Sequence, residues 1–155
     1  MQDTVGLRAL VGSGWKIVLL VLPFLVVGVA LNVLFPSAFS VGGPPAALAV
    51  LSIIVLDCGA TVWVWSVSLI LTKVSMGELI TEGPYSVVKH PLYTAVALLI
   101  WPWVGFLFDT WLGLALGIVM YVGRRMFAPE EERALSEKFG GAWDDYSKNV
   151  KMPWL

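Results

Sequence analysis

The sequence predicts an all-α, polytopic membrane protein with four transmembrane helices, the last two a short hairpin, and a C-terminal cytoplasmic helical tail. Three observations predict it. The composition suits lipid rather than water: AVILMFWYC residues make up 58% and Asp, Glu, Lys and Arg only 14%, with a mean hydropathy of +0.82, where soluble domains carry roughly a quarter charged residues. Polar or Gly/Pro-rich breaks divide the chain into four apolar segments. All ten Lys and Arg fall in the N-terminal segment, the middle connector or the C-terminal tail.

The first segment runs from about Trp15 to Phe35, with Lys16 at its edge and Pro23 inside, and meets the roughly 20 apolar residues that a spanning helix needs. Met1 to Gly14 lacks the basic head and small-residue cleavage site of a signal peptide, so the first span is expected to be retained. Pro36 and the stretch Ser37 to Pro45 form a breaker. The second segment, about Ala46 to Leu71, exceeds one span and is expected to tilt or to extend past the interface. A polar connector follows from Thr72 to Lys89, with Gly83-Pro84 as its turn signal.

The third segment, about Pro91 to Phe108, is interrupted by Pro102. Only Asp109 and Thr110 separate it from the fourth, about Trp111 to Val122, and so short a break reads as a tight helical hairpin. Gly113 and Gly117 form a small-xxx-small pair that lets the arms approach closely. Trp15, Trp101, Trp103 and Trp111 sit near span ends or kinks, where interfacial anchoring is expected of some of them. Pro129-Glu130-Glu131-Glu132 reads as the first turn of a new helix, proline first and acids next. It should stop near Phe139, before Gly140-Gly141. A second short amphipathic piece spans Ala142 to Val150.

The Ser37–Pro45 loop and the Asp109–Thr110 turn carry no Lys or Arg. The positive-inside rule therefore puts both termini and the connector in the cytoplasm. A net charge of −1 offers no basic field for nucleic acid. The single cysteine, Cys58, excludes an intrachain disulfide and an all-Cys metal site. We expect a single integral membrane domain over residues 1–155, with two spans in 1–72 and the chemistry in 73–150.

Polar residues that are not simply solvated concentrate in Gly77 to Tyr93 and in Glu130 to Tyr146. Both stretches lie on the predicted cytoplasmic side, bracketing the hairpin, whose return would bring them together at the membrane surface. A His, two tyrosines and a carboxylate cluster beside an apolar cavity suit an enzyme that takes a polar cofactor from water and a lipidic acceptor from the bilayer.

Gly83-Pro84-Tyr85, Lys89-His90-Pro91-Leu92-Tyr93, Glu130-Glu131, Phe139-Gly140 and Tyr146, in this order around a short hairpin, resemble the C-terminal core of the isoprenylcysteine carboxyl methyltransferase family. That family groups with the membrane phospholipid methyltransferases. The resemblance covers about Gly77 to Val150, and the first two spans add no motif. It implies S-adenosylmethionine as methyl donor, held by Glu78, Leu79, Ile80, Tyr85, His90, Pro91, Leu92, Tyr93 and Glu131. The Glu131 register is fixed on Phe139-Gly140, with Glu130 and Glu132 as the alternatives. It also implies an arginine about one turn before the glutamate to hold an acceptor carboxylate. Phe127 stands there instead, leaving Arg124 or Arg125 to reach the site, or an acceptor that is no carboxylate. The implied acceptor is lipophilic, either a prenylcysteine-like carboxylate or a lipid headgroup.

Plainer readings stand beside these. His90 can be an interfacial loop histidine before a proline, Glu130–Glu132 a charged first helical turn, and Tyr85 and Tyr93 aromatic-belt residues. The stretches KHPLY and FGGAWDDYSKNV also look similar to the tail of NADPH-dependent membrane sterol reductases, which are much longer. Asp57, mid-way along the second span, is a functional hypothesis by default. It suits a small transporter or assembly protein, or a structural contact between helices or between copies of a homo-oligomer.

Overall fold

A computed structural model describes residues 14–43, 45–153 and 155; the expectations that fall on residues 1–13 lie outside the described residues. Helices account for nearly every element, and no strand occurs among the described residues. They are α1 (Gly14–Leu34), α2 (Pro36–Phe39), α3 (Ala46–Lys73), α4 (Pro91–Leu107), α5 (Leu112–Phe139) and α6 (Gly141–Asn149).

Two of them, α1 and α3, are long and apolar enough to cross a membrane. Both are largely apolar all round, Asp57, Thr61 and Ser68 on α3 being exposed polar exceptions near its middle and end. The outward faces of the two helices present Val18, Leu19, Leu22, Val26, Ile53, Ile54 and Val64 at 47 to 62% exposure. Water would not tolerate such continuous apolar surfaces, whereas lipid chains cover them without cost. The α4 helix is shorter, and α5 changes character along its length, apolar to Val122 and charged beyond.

The helices pack in the spatial order α1, α5, α4, α3, with the α4–α5 hairpin between the two long outer helices. Antiparallel α1 and α5 meet at Gly28 against Leu112, at Leu20 against Gly123, and finally at the ion pair of Lys16 Nζ with Glu130 Oε2 at 2.6 Å. Ile17, Val21 and Leu116 form the core of this contact. On the other side, Ser52, Gly59 and Ser66 of α3 are buried at seven-residue intervals, with Gly59 seated on Leu99 and Ile100 of α4.

Hairpin packing is tightest at glycine. A Cβ on Gly113 would lie 2.6 Å from the Gly105 Cα and would also strike the Trp101 carbonyl, and one on Gly117 would strike the Ala97 carbonyl. Those carbonyls belong to a wide turn. Residues Ala95–Ile100 wind as a π-helix, and the Trp101 amide donates to the Val96 carbonyl five residues back. Pro102 follows at once and has no amide to offer the preceding turn, so a local change of winding accommodates it. The predicted interruption at Pro102 is therefore a wide turn inside a continuous helix.

At the far end Asp109, in the left-handed region at φ 54°, fastens the hairpin tip to the α2 loop. Its carboxylate accepts from the Ser40 hydroxyl at 2.7 Å and from the Val41 and Gly43 amides at 3.0 and 2.8 Å. These bonds, Ser40 foremost, hold its carboxyl below the usual range.

One expected boundary is corrected. Pro129 does not start a new helix; α5 runs unbroken from Leu112 to Phe139 with Pro129 inside. The carbonyl deprived of its partner, four residues earlier, belongs to Arg125, which is exposed and within reach of water. Lys16–Glu130 and Lys89–Glu132 pairs then hold the turn after the proline from two sides.

The glycine contact predicts a sharp contrast. Gly113→Leu should lower the thermal unfolding midpoint in detergent, at a cost of about 1–3 kcal/mol or more from overpacking. Gly141→Ala, whose new methyl meets nothing within 4 Å, should leave it unchanged. Tryptophan fluorescence on heating reads both.

Candidate active site

The connector is shaped before any ligand is considered. Helix α3 ends in a left-handed Gly77 (φ 75°), with the Glu78 amide donating to the Lys73 carbonyl and the Gly77 amide to that of Val74. This closure turns the chain back across the helix end. Glu78 stays tethered to Lys73 Nζ at 3.0 Å. The next turn, Gly83–Ser86, sets Gly83 against the Trp65 ring, where a Cβ would come within 3.0 Å. His90 then precedes Pro91, which keeps the histidine backbone out of the helical region (φ −128°, ψ 62°) and opens α4 from its first position.

From the other side, α5 projects past α4 and presents Glu131, Ala134, Leu135 and Lys138 on one face, at helical spacing. At Gly140 (φ 54°, ψ −129°) the chain takes a path that favours glycine and reverses into α6. Trp143, Tyr146 and Val150, spaced by three and four residues, bury themselves against Leu79, Leu135 and Phe139. Two bonds tie this segment to the connector: the Tyr146 hydroxyl donates to the Tyr85 carbonyl at 2.8 Å, and the Met152 amide to the Val87 carbonyl at 2.8 Å.

Between these walls lies a cavity of about 280 Å³, near the lower end of the size range of small-molecule sites. Eight of the predicted donor-binding residues line it: Glu78, Leu79, Ile80, Tyr85, His90, Leu92, Tyr93 and Glu131. Pro91 does not; it is buried at the start of α4 and sets the backbone beneath the histidine. Arg124 and Arg125 do not line it either. Arg124 is 3% exposed, with Nη1 3.4 Å from the Thr94 hydroxyl and its guanidinium 5.4 Å from the Tyr121 ring centroid, and Arg125 faces outward. Phe127 packs into the α1–α5 core, and the cation over its ring is Lys16 Nζ at 5.8 Å. Asp57 is exposed on α3, away from the cavity.

His90, 6% exposed, meets both neighbouring glutamates: Nε2 lies 3.4 Å from Glu132 Oε1, and Nδ1 3.9 Å from Glu131 Oε2. Glu132 also takes Lys89 Nζ at 3.1 Å. The glutamates thus divide their work, Glu131 on the cavity wall and Glu132 holding His90 and Lys89 in place. The Phe139-Gly140 register pointed to Glu131, with Glu130 and Glu132 as alternatives, and gave no role of its own to Glu132. The α6 wall had a legible signal in the Trp143–Tyr146–Val150 spacing; Ile70 and Val74 from the end of α3 had none. Burial pushes the Tyr85 and Tyr146 phenols up, so both stay protonated at neutral pH.

The His90 hydrogen bond, helped by Lys89 and opposed by burial, lowers the Glu132 carboxyl from 4.5 to about 2. A depressed carboxyl contributes stability that is complete above its unfolded value and is lost as pH falls towards its folded one. The wild type should therefore lose stability between pH 4.5 and about 2 more steeply than Glu132→Gln, which should be the less stable of the two at pH 7. Thermal unfolding across that pH range measures the difference.

A phospholipid methyltransferase family model matches residues 46–142, from the start of α3 to the beginning of α6, and so takes in the connector, the hairpin and every wall of the cavity except the Trp143–Tyr146 side. No curated protein and no solved structure matches significantly. The match extends over more than half of the chain, which belongs to the phospholipid methyltransferase family.

Proposed function

We propose that this protein transfers a methyl group from S-adenosylmethionine to a lipophilic acceptor, at the cytoplasmic face of a membrane that it crosses four times. The observation carrying the reading is the single cleft shared by His90 and Glu131, which stand at the two ends of the hairpin sequence.

The side chains present suit that donor. Glu78 and Glu131 can accept from amino and ribose hydroxyl groups, and His90 can donate to a carboxylate. The faces of Tyr85, Tyr93, Phe139 and Trp143 can lie against a flat base and a cationic sulfur, a contact worth on the order of 0.5–2 kcal/mol. When bound, such a donor supplies an electrophilic methyl group. The chain's own part is then positioning, which can supply much of the acceleration of a displacement. Glu132 and Lys89 hold the imidazole, and the Tyr146 bond holds the aromatic wall over the connector. Tyr85 remains a neutral hydroxyl and acts as a donor rather than as a base.

On the acceptor side, Tyr93 joins the cavity to the α1–α5 core, with its hydroxyl beside Gly14 of α1. Arg124 sits behind it at Thr94, buried and off the cavity wall. Of the two arginines it is the one we assign to orienting an anionic acceptor group, a carboxylate or a headgroup phosphate, through its field rather than by contact. The cluster of Lys16, Lys73, Lys89, Arg124 and Arg125 at the cavity's end of the helices supports a cytoplasmic site.

Incubation of the purified protein with methyl-labelled donor and a membrane lipid extract should move label into the lipid fraction. S-adenosylhomocysteine should raise the unfolding midpoint and NADPH should not. Glu131→Gln and His90→Ala should each weaken S-adenosylhomocysteine binding by on the order of tenfold, while Asp57→Asn leaves it intact. Stabilisation by NADPH alone, or the reverse ordering of the three variants, would overturn the assignment.

A further inference from the structure

We propose that the outward face of α3 is the seam of a parallel homodimer, in which Asp57 of each copy accepts a hydrogen bond from Thr61 of the other. The face opposite the buried Ser52–Gly59–Ser66 stripe carries Ile54, Asp57, Thr61, Val64 and Ser68, alternating by three and four residues, and all are exposed. This is the spacing at which two parallel helices interlock along their length. Asp57 lies 11 residues after Ala46 and 16 before Lys73. At 1.5 Å per residue that is about 16 and 24 Å from the two ends of the helix, far beyond the reach of a short side chain. No hydrogen bond or ion pair of Asp57 occurs among the described residues. A carboxyl facing hydrocarbon in that state is costly, and such residues in membranes are almost always turned towards protein or water.

The same face supplies what the carboxyl lacks. Thr61 stands one turn along, and its hydroxyl likewise makes no bond among the described residues, whereas Ser68 already donates to its own helix at Val64, 2.9 Å away. Two copies inserted the same way about a two-fold axis set residue i of one against i and i+4 of the other. Each Asp57 then meets Thr61 of the other copy, so the hydrogen bond forms once on either side of the axis, with the two Asp57 carboxyls side by side between the two donors. A foreign helix would need its own donor at this depth. Because α1 packs on the far side of the hairpin, no described residue obstructs the seam.

The proposal rests on reading α3 as a membrane span. With Cys58 replaced by serine, Ile54→Cys and Val64→Cys should each give an oxidatively cross-linked species of twice the chain mass in native membranes. Wild type should not, because its exposed Cys58 lies about 100° round the helix from Asp57. Asp57→Leu in the Ile54→Cys background, and Thr61→Val in the same background should the first variant fail to insert, should cut the cross-linked fraction by roughly three- to tenfold. Membrane-retained protein that gives no such species, or one of another mass, would overturn the homodimer, and undiminished cross-linking in both variants would overturn the hydrogen bond. Release by alkaline carbonate would instead overturn the span itself.

Discussion

The close backbone contact between α4 and α5 is the constraint on which the site depends. His90 and Glu131 are 41 residues apart in sequence (131 minus 90), and only an antiparallel return at near-contact distance brings them to one level. Gly105, Gly113 and Gly117 permit it, because each is a place where a methyl group would collide with backbone of the opposite arm. Without that approach the two arms would stand apart by the thickness of a side-chain layer. The carboxylate and imidazole would then separate by several ångströms, well beyond any interaction they now share.

Around this contact the protein separates support from chemistry. At the far end, Asp109 gathers the hairpin tip and the α2 loop, and Thr110 donates to Asn32 of α1 at 2.7 Å. At the cavity end, the fixed points are polar pairs that reach between elements: Lys16 to Glu130, Lys89 to Glu132, and the Tyr146 hydroxyl to the Tyr85 carbonyl. The outer helices contribute by covering the hairpin rather than by bearing reactive groups, and of their described residues only Ile70 of α3 lines the cavity, joined by Val74 just past its end.

Much of this was legible in the sequence, for identifiable reasons. The apolar segments, the two-residue hairpin break, the Gly113–Gly117 pair and the stop at Gly140 are local signals, each tied to chain geometry at the residue concerned. Eight cavity residues were among those that the family resemblance, carried by the motifs around the hairpin, implies. Three features were not legible because they depend on partners distant in sequence. Pro129 read as a helix start because proline favours that position, yet α5 continues through it, held by two ion pairs that flank the proline and with the carbonyl it deprives belonging to the exposed residue Arg125. The division of roles between Glu131 and Glu132 is set by which helix face meets His90, not by their shared chemistry. Lys16 over Phe127 arises from α1, outside the stretch on which the resemblance rests.

The wide turn at Ala95–Ile100 has a consequence for aim. A helix that takes in one residue beyond its regular winding carries everything upstream round by about 100°. The direction in which Leu92 and Tyr93 confront the cavity is therefore indexed by a backbone irregularity that begins two residues after Tyr93, and Pro102 and Gly117 together act as the stop that sets the dial.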